Sequence, residues 1–320
     1  MEGCDISEAH FQLTGRCNLR CIFCGQQNGM FDGNRRRELP PETWLGFADQ
    51  LAALPVLPKL MLWGGEPLVY EGFDELSAEL FRRGFRLSIV TNGTLIDRHV
   101  EVLRRCFETI HISLDGGRAD HDRIRGKGVF DRVAANLPLL AGRRGRLVFL
   151  TTVADETVGR MAELPFELVP LKPDEIVLQE LMYCSGHEAE EYRAWLRREF
   201  DSDDPGILTW VREEDAGYME MLRRQCEAIR SITYPVPVRV RLHEHCSGVP
   251  AVCPAPWSRC HIRYDGEMLF CTDFYGFSAG NVCARPLLEL FGNERSQRFR
   301  REIAAGHNPL CRHCAWLYGL

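Results

Sequence analysis

The segment LTGRCNLRCIFCGQQNG, residues 13–29, places the cysteines Cys17, Cys21 and Cys24 in the spacing CxxxCxxC. The short apolar run FQLT (11–14) leads into it and reads as a β-strand. A structural metal site of the tetrahedral kind uses four protein ligands. Three cysteines in one loop therefore predict a metal centre at the end of a first strand, with one coordination position left open for another molecule.

Short apolar, β-branched runs then alternate with segments of helical period, such as 41–53, which opens at Pro41, and 71–83. Parallel strands need a crossover between them, so repeated strand–helix units predict an α/β fold with a parallel sheet. We expect a partial (β/α)6 TIM-like barrel over residues 1–183. Its strands are predicted at 11–14, 59–63, 86–90, 109–113, 146–153 and 175–181.

Polar or glycine-rich loops follow the first four predicted strands. After the cysteine loop come GGEP (64–67), TNGT (91–94) and LDGG (114–117). In α/β barrels the carboxyl ends of the strands and the loops after them form the active site. We therefore expect these four loops to meet on one face.

The remainder of the chain breaks this alternation. Residues 184–250 are charged and mostly of helical pattern, with a short alternating run VRVRL (238–242), and are expected to form a helical bridge. Residues 251–320 carry six cysteines around the hairpin-like turn YDGEM (264–268). A segment this short cannot bury enough apolar surface to fold unaided. We therefore expect a small carboxy-terminal cysteine-rich domain that a metal cluster stabilises.

Composition narrows the class of protein. The 320 residues have a formal net charge of -6 with no basic domain, so a nucleic-acid partner is not expected. The sequence shows no secretory signal and no apolar stretch of roughly 18 residues, so we expect no membrane partner and a cytoplasmic location. In that reducing compartment, 14 cysteines favour metal binding over disulfides.

Together, CNLRCIFC (17–24), GGEP, TNG and ISLDG (112–116) resemble the radical S-adenosylmethionine (SAM) superfamily over roughly residues 10–180. The resemblance implies that Cys17, Cys21 and Cys24 hold a [4Fe-4S] cluster whose open iron chelates SAM. It implies reductive cleavage of SAM and abstraction of a hydrogen atom from a substrate. A structural zinc site is the alternative for the three cysteines.

The same resemblance assigns roles around SAM. Phe23 is placed beside the adenine, Ser113 toward the ribose, and Glu66 at the SAM amino group. Arg125, whose planar guanidinium suits a carboxylate, is placed at the SAM carboxylate. The expected SAM-binding residues are Phe23, Gly64, Gly65, Glu66, Asn92, Ser113 and Arg125. Asp115 reads equally well as a helix cap.

The second cysteine set resembles the SPASM and twitch modules of radical SAM enzymes, which carry auxiliary [4Fe-4S] clusters. The resemblance implies a fully ligated cluster on Cys253, Cys271, Cys311 and Cys314. Because the given sequence ends six residues past Cys314, the one-cluster twitch form is favoured. Cys260 is a rival ligand, and a zinc ribbon is the alternative module.

The resemblance implies a peptide or small-molecule substrate, such as a natural-product intermediate, and an external electron donor such as flavodoxin or ferredoxin. The outcome is expected to be oxidation, by dehydrogenation or crosslinking, or epimerisation with Cys184 as hydrogen-atom donor and Cys246 as a weaker candidate. With about ten residues before the first strand, no leader-binding domain is expected, which disfavours a ribosomal peptide. The alternatives are a non-catalytic iron–sulfur or zinc electron carrier or scaffold, and a glycyl-radical activating enzyme.

Overall fold

A computed structural model describes residues 5–26, 37–213, 215–242 and 253–314. The strands found within these ranges are β1 (Glu8–Thr14), β2 (Lys59–Gly64), β3 (Leu87–Thr91), β4 (Phe107–Ser113), β5 (Arg146–Val153), β6 (Glu175–Glu180), β7 (Val238–Arg241), β8 (Arg259–Ile262), β9 (Glu267–Leu269) and β10 (Gly280–Asn281). The helices are α1 (Pro41–Ala52), α2 (Phe73–Arg82), α3 (Val100–Cys106), α4 (Arg118–Arg125), α5 (Val129–Asn136), α6 (Leu164–Leu168), α7 (Gly186–Phe200), α8 (Ala216–Ser231), α9 (Ala255–Ser258), α10 (Leu287–Gly292) and α11 (Glu294–Ala304).

All the strands belong to one sheet, in the order β10-β9-β8-β1-β2-β3-β4-β5-β6-β7. The six predicted strands are confirmed, and β1 to β6 lie side by side in chain order and in parallel. The predicted α/β architecture with a partial parallel barrel is therefore correct. A crossover segment containing a helix follows each of the first five strands, as parallel pairing requires.

Two parallel strands from outside the predicted barrel extend this sheet at its edges. β7 pairs with β6, and β8 pairs with β1. The expectation of a helical bridge over 184–250 is corrected at β7, because Val238 and Val240 alternate with arginines and suit a strand with one buried side. β8 joins the carboxy-terminal module directly to the first strand.

Alternation along β1 separates two faces of the sheet. Phe11 and Leu13 point to the helical side, where the Phe11 ring lies 4.9 Å from the ring of Trp44 in α1. Gln12 on the opposite face is also fully buried. Both faces of the sheet are thus covered, as is usual for parallel sheets.

The carboxy-terminal module begins with the predicted hairpin, which is confirmed. β8 and β9 are antiparallel, and the turn between them uses Gly266 at a φ of 91°, a conformation that favours glycine. Aromatic rings then fasten the module to α7. Phe277 and Phe299 stack with centroids 4.1 Å apart, and Phe299 also contacts Trp195 and Phe200 of α7.

Across the described ranges, we find no helix both long enough and apolar enough to cross a bilayer.

We predict that Phe299→Ala lowers the free energy of unfolding by about 3–5 kcal/mol, because Phe299 is only 5% exposed within the aromatic cluster. Phe166→Ala is the matched control. Its ring is 47% exposed and contacts Tyr234, so a loss below about 1.5 kcal/mol is expected. Anaerobic urea unfolding at matched iron content measures both changes, and equal losses would contradict the packing assigned to Phe299.

Candidate active site and auxiliary metal centre

A cavity of about 1140 Å³ opens at the carboxyl ends of the parallel strands. Residues from the cysteine loop and from the ends of β2 to β6 line it together, so the predicted meeting of the loops is observed. The expected site residues among its lining are Cys17, Cys21, Phe23, Cys24, Gly64, Gly65, Asn92, Ser113 and Arg125. Glu66 and Cys184 were also expected at the site but are not part of this lining.

The cysteine loop presents its thiols to this cavity with hydrogen-bond donors around them. The backbone N–H of Leu19 lies 3.4 Å from Cys17 Sγ, and Asn92 Nδ2 lies 4.0 Å from it. Burial raises the pKa of Cys17 to about 11, so a metal cation is needed to hold it as a thiolate at neutral pH. N–H donors directed at cysteine sulfurs suit an iron–sulfur cluster, which such bonds stabilise. The donor set therefore fits a cluster held by three cysteines.

Gly64 and Gly65 allow the end of β2 to touch the cysteine loop. A Cβ on Gly65 would lie 2.1 Å from the Arg16 carbonyl oxygen, and one on Gly64 would lie 2.6 Å from that of Thr14. The Gly65 N–H donates to the Thr14 carbonyl at 2.7 Å, and the Glu66 N–H to that of Arg16 at 2.8 Å. No side chain fits in these contacts, which explains the glycine pair.

Glu66 has a different position from the one expected of a SAM ligand. Its fully buried carboxylate accepts hydrogen bonds from Thr91 Oγ1 at 2.6 Å, the Asn92 N–H at 2.7 Å and the Leu68 N–H at 3.1 Å. Burial raises the pKa of Glu66 to about 7, although these donors favour the carboxylate. Glu66 thus ties the end of β2 to the end of β3 behind the cavity wall, and the two glycines form the wall itself.

A hydrogen-bond network around Asn92 was missed by the sequence reasoning. Asn92 Nδ2 donates to Asn18 Oδ1 at 2.9 Å, Asn18 Nδ2 donates to Thr94 Oγ1 at 2.8 Å, and Thr94 donates back to Asn92. This closed network links the cysteine loop to the end of β3. Asn18 directly follows the predicted ligand Cys17 in the sequence, and this position could have indicated its role in the site.

Arg125 lies at the far side of the cysteine loop. Its Nε donates to Asp115 Oδ2 at 2.5 Å, its Nη1 lies 3.8 Å from Cys21 Sγ, and its guanidinium stands 5.8 Å from the Phe23 ring centroid. Despite burial, Asp115 and Cys21 raise the pKa of Arg125 above its ordinary value. Asp115, which could have been a helix cap, is instead the buried counter-ion of Arg125.

Cys184 is not brought to the cavity. It is fully buried in the apolar core, where it forms an isolated parallel bridge with Val211, and burial raises its pKa to about 11. The hydrogen-donor role of Cys184 stays a prediction that this placement does not favour. The weaker candidate, Cys246, lies outside the described residues.

The predicted ligands of the second cluster line a separate cavity of about 780 Å³ in the carboxy-terminal module, where Cys253, Cys271, Cys311 and Cys314 are all found. Burial and the nearby thiols of Cys271 and Cys253 raise the pKa of Cys311, and Cys314 acts in the same sense on Cys271. Thiols that interact in the pairs Cys253–Cys311, Cys271–Cys311 and Cys271–Cys314 suit a metal cluster that neutralises them as thiolates.

Cys260, the rival ligand, borders the same cavity. It lies on β8 in register with Ala9, next to Ile262, which is in register with Phe11. That places Cys260 on the helical side of the sheet with the apolar core, where it is fully buried. Its position therefore favours Cys253 as the ligand.

The two cavities share part of their lining. Thr272 and Asp273, which directly follow Cys271, border both. Burial raises the pKa of Asp273 to about 6. Sequence reasoning missed this shared wall, although the position of Asp273 two residues after a predicted ligand was a signal.

Aromatic residues complete the first cavity and were also missed. Trp63, Tyr275 and Trp210 line it. The Trp210 ring packs over the cysteine loop, since a Cβ on Gly25 would lie 2.5 Å from it. Trp210 belongs to the segment between α7 and α8, so part of the expected bridge reaches the site.

Known proteins resemble this chain in both regions. The model of the radical SAM superfamily matches residues 11–164, and that of SPASM, an iron–sulfur cluster-binding domain, matches residues 253–315. The AdoMet-dependent heme synthase of Methanosarcina barkeri (strain Fusaro / DSM 804) is 32% identical over 306 residues, which cover 91% of this chain and 83% of that protein. The Fe-coproporphyrin III synthase of the same organism is 25% identical over 335 residues, covering 96% and 80%.

The fold also matches a solved structure. Streptococcus suis SuiB bound to its precursor peptide SuiA has a TM-score of 0.67 and 17% identity, covering 97% of this chain and 72% of SuiB. At this identity the likeness concerns the fold.

We predict that Gly65→Ala abolishes binding of the cluster on the cysteine loop and leaves the auxiliary cluster in place. The added methyl would collide with the Arg16 carbonyl and push the loop away from β2. Gly46→Ala, in α1 with open space around it, is the control and should keep full iron content. Iron analysis after anaerobic reconstitution decides, and full iron in Gly65→Ala would refute the assigned contact.

We predict that Cys253→Ala loses the auxiliary cluster and that Cys260→Ala keeps it. The reason is the nearness of Cys253 to Cys311 and the core placement of Cys260. Iron per chain and the electron paramagnetic resonance (EPR) signal of the reduced protein distinguish the two variants. The reverse pattern would make Cys260 the ligand.

Proposed function

The chain belongs to the radical SAM superfamily and carries a SPASM domain, and on this premise we propose that it oxidises a carbon centre of a peptide substrate. When bound, the two clusters and SAM supply the electron transfer and the hydrogen-abstracting radical of this superfamily. Cys17, Cys21 and Cys24 hold the first cluster, and Cys253, Cys271, Cys311 and Cys314 hold the second.

The protein's own residues prepare the SAM site. The glycines of GGEP hold the end of β2 against the cysteine loop and form part of the cavity wall. Arg125 keeps its Nη1 beside Cys21 of the cysteine loop while Asp115 holds its Nε. One edge of the guanidinium is thus fixed and another faces the place where a carboxylate would bind. Trp210 covers the loop and limits access of water.

The observation that carries the proposal of oxidation is the shared wall Thr272–Asp273. A cluster held by Cys253, Cys271, Cys311 and Cys314 would supply an electron acceptor beside the substrate cavity. The carboxylate of Asp273 in that wall can accept the proton released in the same oxidation. The electron and the proton that the oxidation releases therefore both have an acceptor next to the cavity.

Epimerisation is the weaker outcome, because it needs a hydrogen-atom donor at the substrate. Within the described ranges, the cysteines that line the cavity are Cys17, Cys21 and Cys24, all assigned to the cluster. Cys184 lies in the apolar core instead. This lining therefore favours oxidation over return of a hydrogen atom.

The charges of the cavity favour a peptide over a polycarboxylate. In the described part of the lining, Arg125 is the cationic side chain, and it is already paired with Asp115, while Glu180 and Asp273 add acidic groups. The fold match to SuiB, whose structure contains the precursor peptide SuiA, supports the same class. We assign a neutral or cationic peptide segment as the substrate.

A tetrapyrrole is the second candidate substrate. This candidate is favoured by the similarity to the AdoMet-dependent heme synthase and the Fe-coproporphyrin III synthase, both of which align with this chain over most of their length. The carboxylates of a porphyrin would require cationic partners, so this candidate predicts a role for arginines beyond the described lining. Absorbance titration with coproporphyrin III distinguishes the two classes, since the peptide proposal expects no binding.

The test of the radical activity is anaerobic. The reconstituted protein is reduced with dithionite and mixed with SAM, and 5'-deoxyadenosine and iron per chain are measured. We expect deoxyadenosine and about eight irons in the wild type, and no deoxyadenosine and about four irons in Cys17→Ala/Cys21→Ala/Cys24→Ala.

Cys283→Ala, which changes an exposed cysteine outside both cavities, is the control and should match the wild type. Zinc in place of iron, or a fully loaded protein that leaves SAM intact, would contradict the proposal. Those results would support the electron carrier or scaffold instead.

A further inference from the structure

His261 is a buried histidine with no hydrogen-bond partner among the described residues. It lies on β8 in register with His10 of β1, is 2% exposed, and neither Nδ1 nor Nε2 is hydrogen bonded. Buried polar atoms in folded proteins are nearly always paired, so this side chain needs an explanation.

Burial favours the neutral form of the His261 imidazole. Burial is the main cause that lowers the pKa of His261 well below its ordinary range, and the nearby His10 and Arg263 act in the same direction. A neutral imidazole carries one N–H donor and one acceptor nitrogen. His261 therefore has a donor that needs an acceptor inside the protein.

The rings that surround His261 do not take this hydrogen bond. Trp63 lies edge-on with its centroid 5.0 Å away, and Tyr275 lies edge-on at 6.0 Å. Both rings line the first cavity, whereas His261 itself borders the second cavity, together with the four cysteines. His261 thus stands between the proposed substrate site and the auxiliary metal centre.

Building on the proposed function, we infer that His261 donates its N–H to a sulfur atom of the auxiliary cluster and so raises the reduction potential of that cluster. The sulfurs of a cluster on Cys253, Cys271, Cys311 and Cys314 supply acceptors on the cavity that His261 borders. Hydrogen bonds to cluster sulfurs stabilise the more negative, reduced form. His261 is then a positioning residue that makes the auxiliary cluster a better electron acceptor.

The experiment isolates the auxiliary cluster in the full chain by using Cys17→Ala/Cys21→Ala/Cys24→Ala as the background. Redox titration monitored by EPR gives the midpoint potential with His261, His261→Phe, His261→Asn and His261→Gln. In His261→Phe we expect the equilibrium constant for reduction to fall about tenfold, which is a fall of about 59 mV for a one-electron couple.

The amide variants test the nature of the interaction. Asn places its N–H near the position of Nδ1 and Gln near that of Nε2, so one of them should restore the midpoint at least in part. His111→Phe is the matched control. His111 is a strand histidine that contacts the Ile89 carbonyl and does not line the auxiliary cavity, so the midpoint should not move.

An unchanged midpoint in His261→Phe with full iron content would overturn this inference alone. If the background variant with His261 intact binds no four-iron cluster, the proposed function fails and this inference fails with it. Should His261→Phe lose the cluster, pulsed EPR of the 15N-histidine-labelled background protein tests directly for the hydrogen bond from His261 to the cluster. An exchangeable proton and a nitrogen coupling at the cluster are expected, and their absence overturns the inference.

Discussion

The backbone contact between the cysteine loop and Gly65 is the constraint on which the rest of the site depends. The parallel register of β1 and β2 brings Arg16 against the end of β2, with an irregularity between Gln12 and Thr14. Two hydrogen bonds hold this contact, and it tolerates no Cβ at position 65. Through it, a loop with little regular structure of its own takes a defined position beside β2 and β3.

Buried charges around this contact are matched within the protein. Glu66 is held by three donors from the ends of β2 and β3, and Arg125 is held by Asp115. These bonds align the strand ends and fix the guanidinium before any cofactor binds. A site whose supporting bonds are already made needs little rearrangement on binding, which is the physical basis of preorganisation.

The carboxy-terminal module depends on the same strand. β8 adds to the free edge of β1, so the second cysteine set is carried to the side of the first cavity. Thr272 and Asp273 form the wall between the two centres, and His261 stands beside it. The shared wall is a result of sheet pairing between segments about 250 residues apart in the chain.

The sequence by itself determined the six parallel strands, the hairpin at Gly266 and both cysteine sets, because periodicity, turn chemistry and ligand spacing are local properties. It also placed GGEP at the site through its position after β2, and the family resemblance implied Arg125 there. Only the tertiary structure decided that Glu66 supports the wall from behind, that Asp115 pairs with Arg125, and that Cys184 enters the core. It also decided that β7 and β8 extend the sheet. The physical reason is that burial and pairing depend on which distant segments pack together, and no local pattern records that.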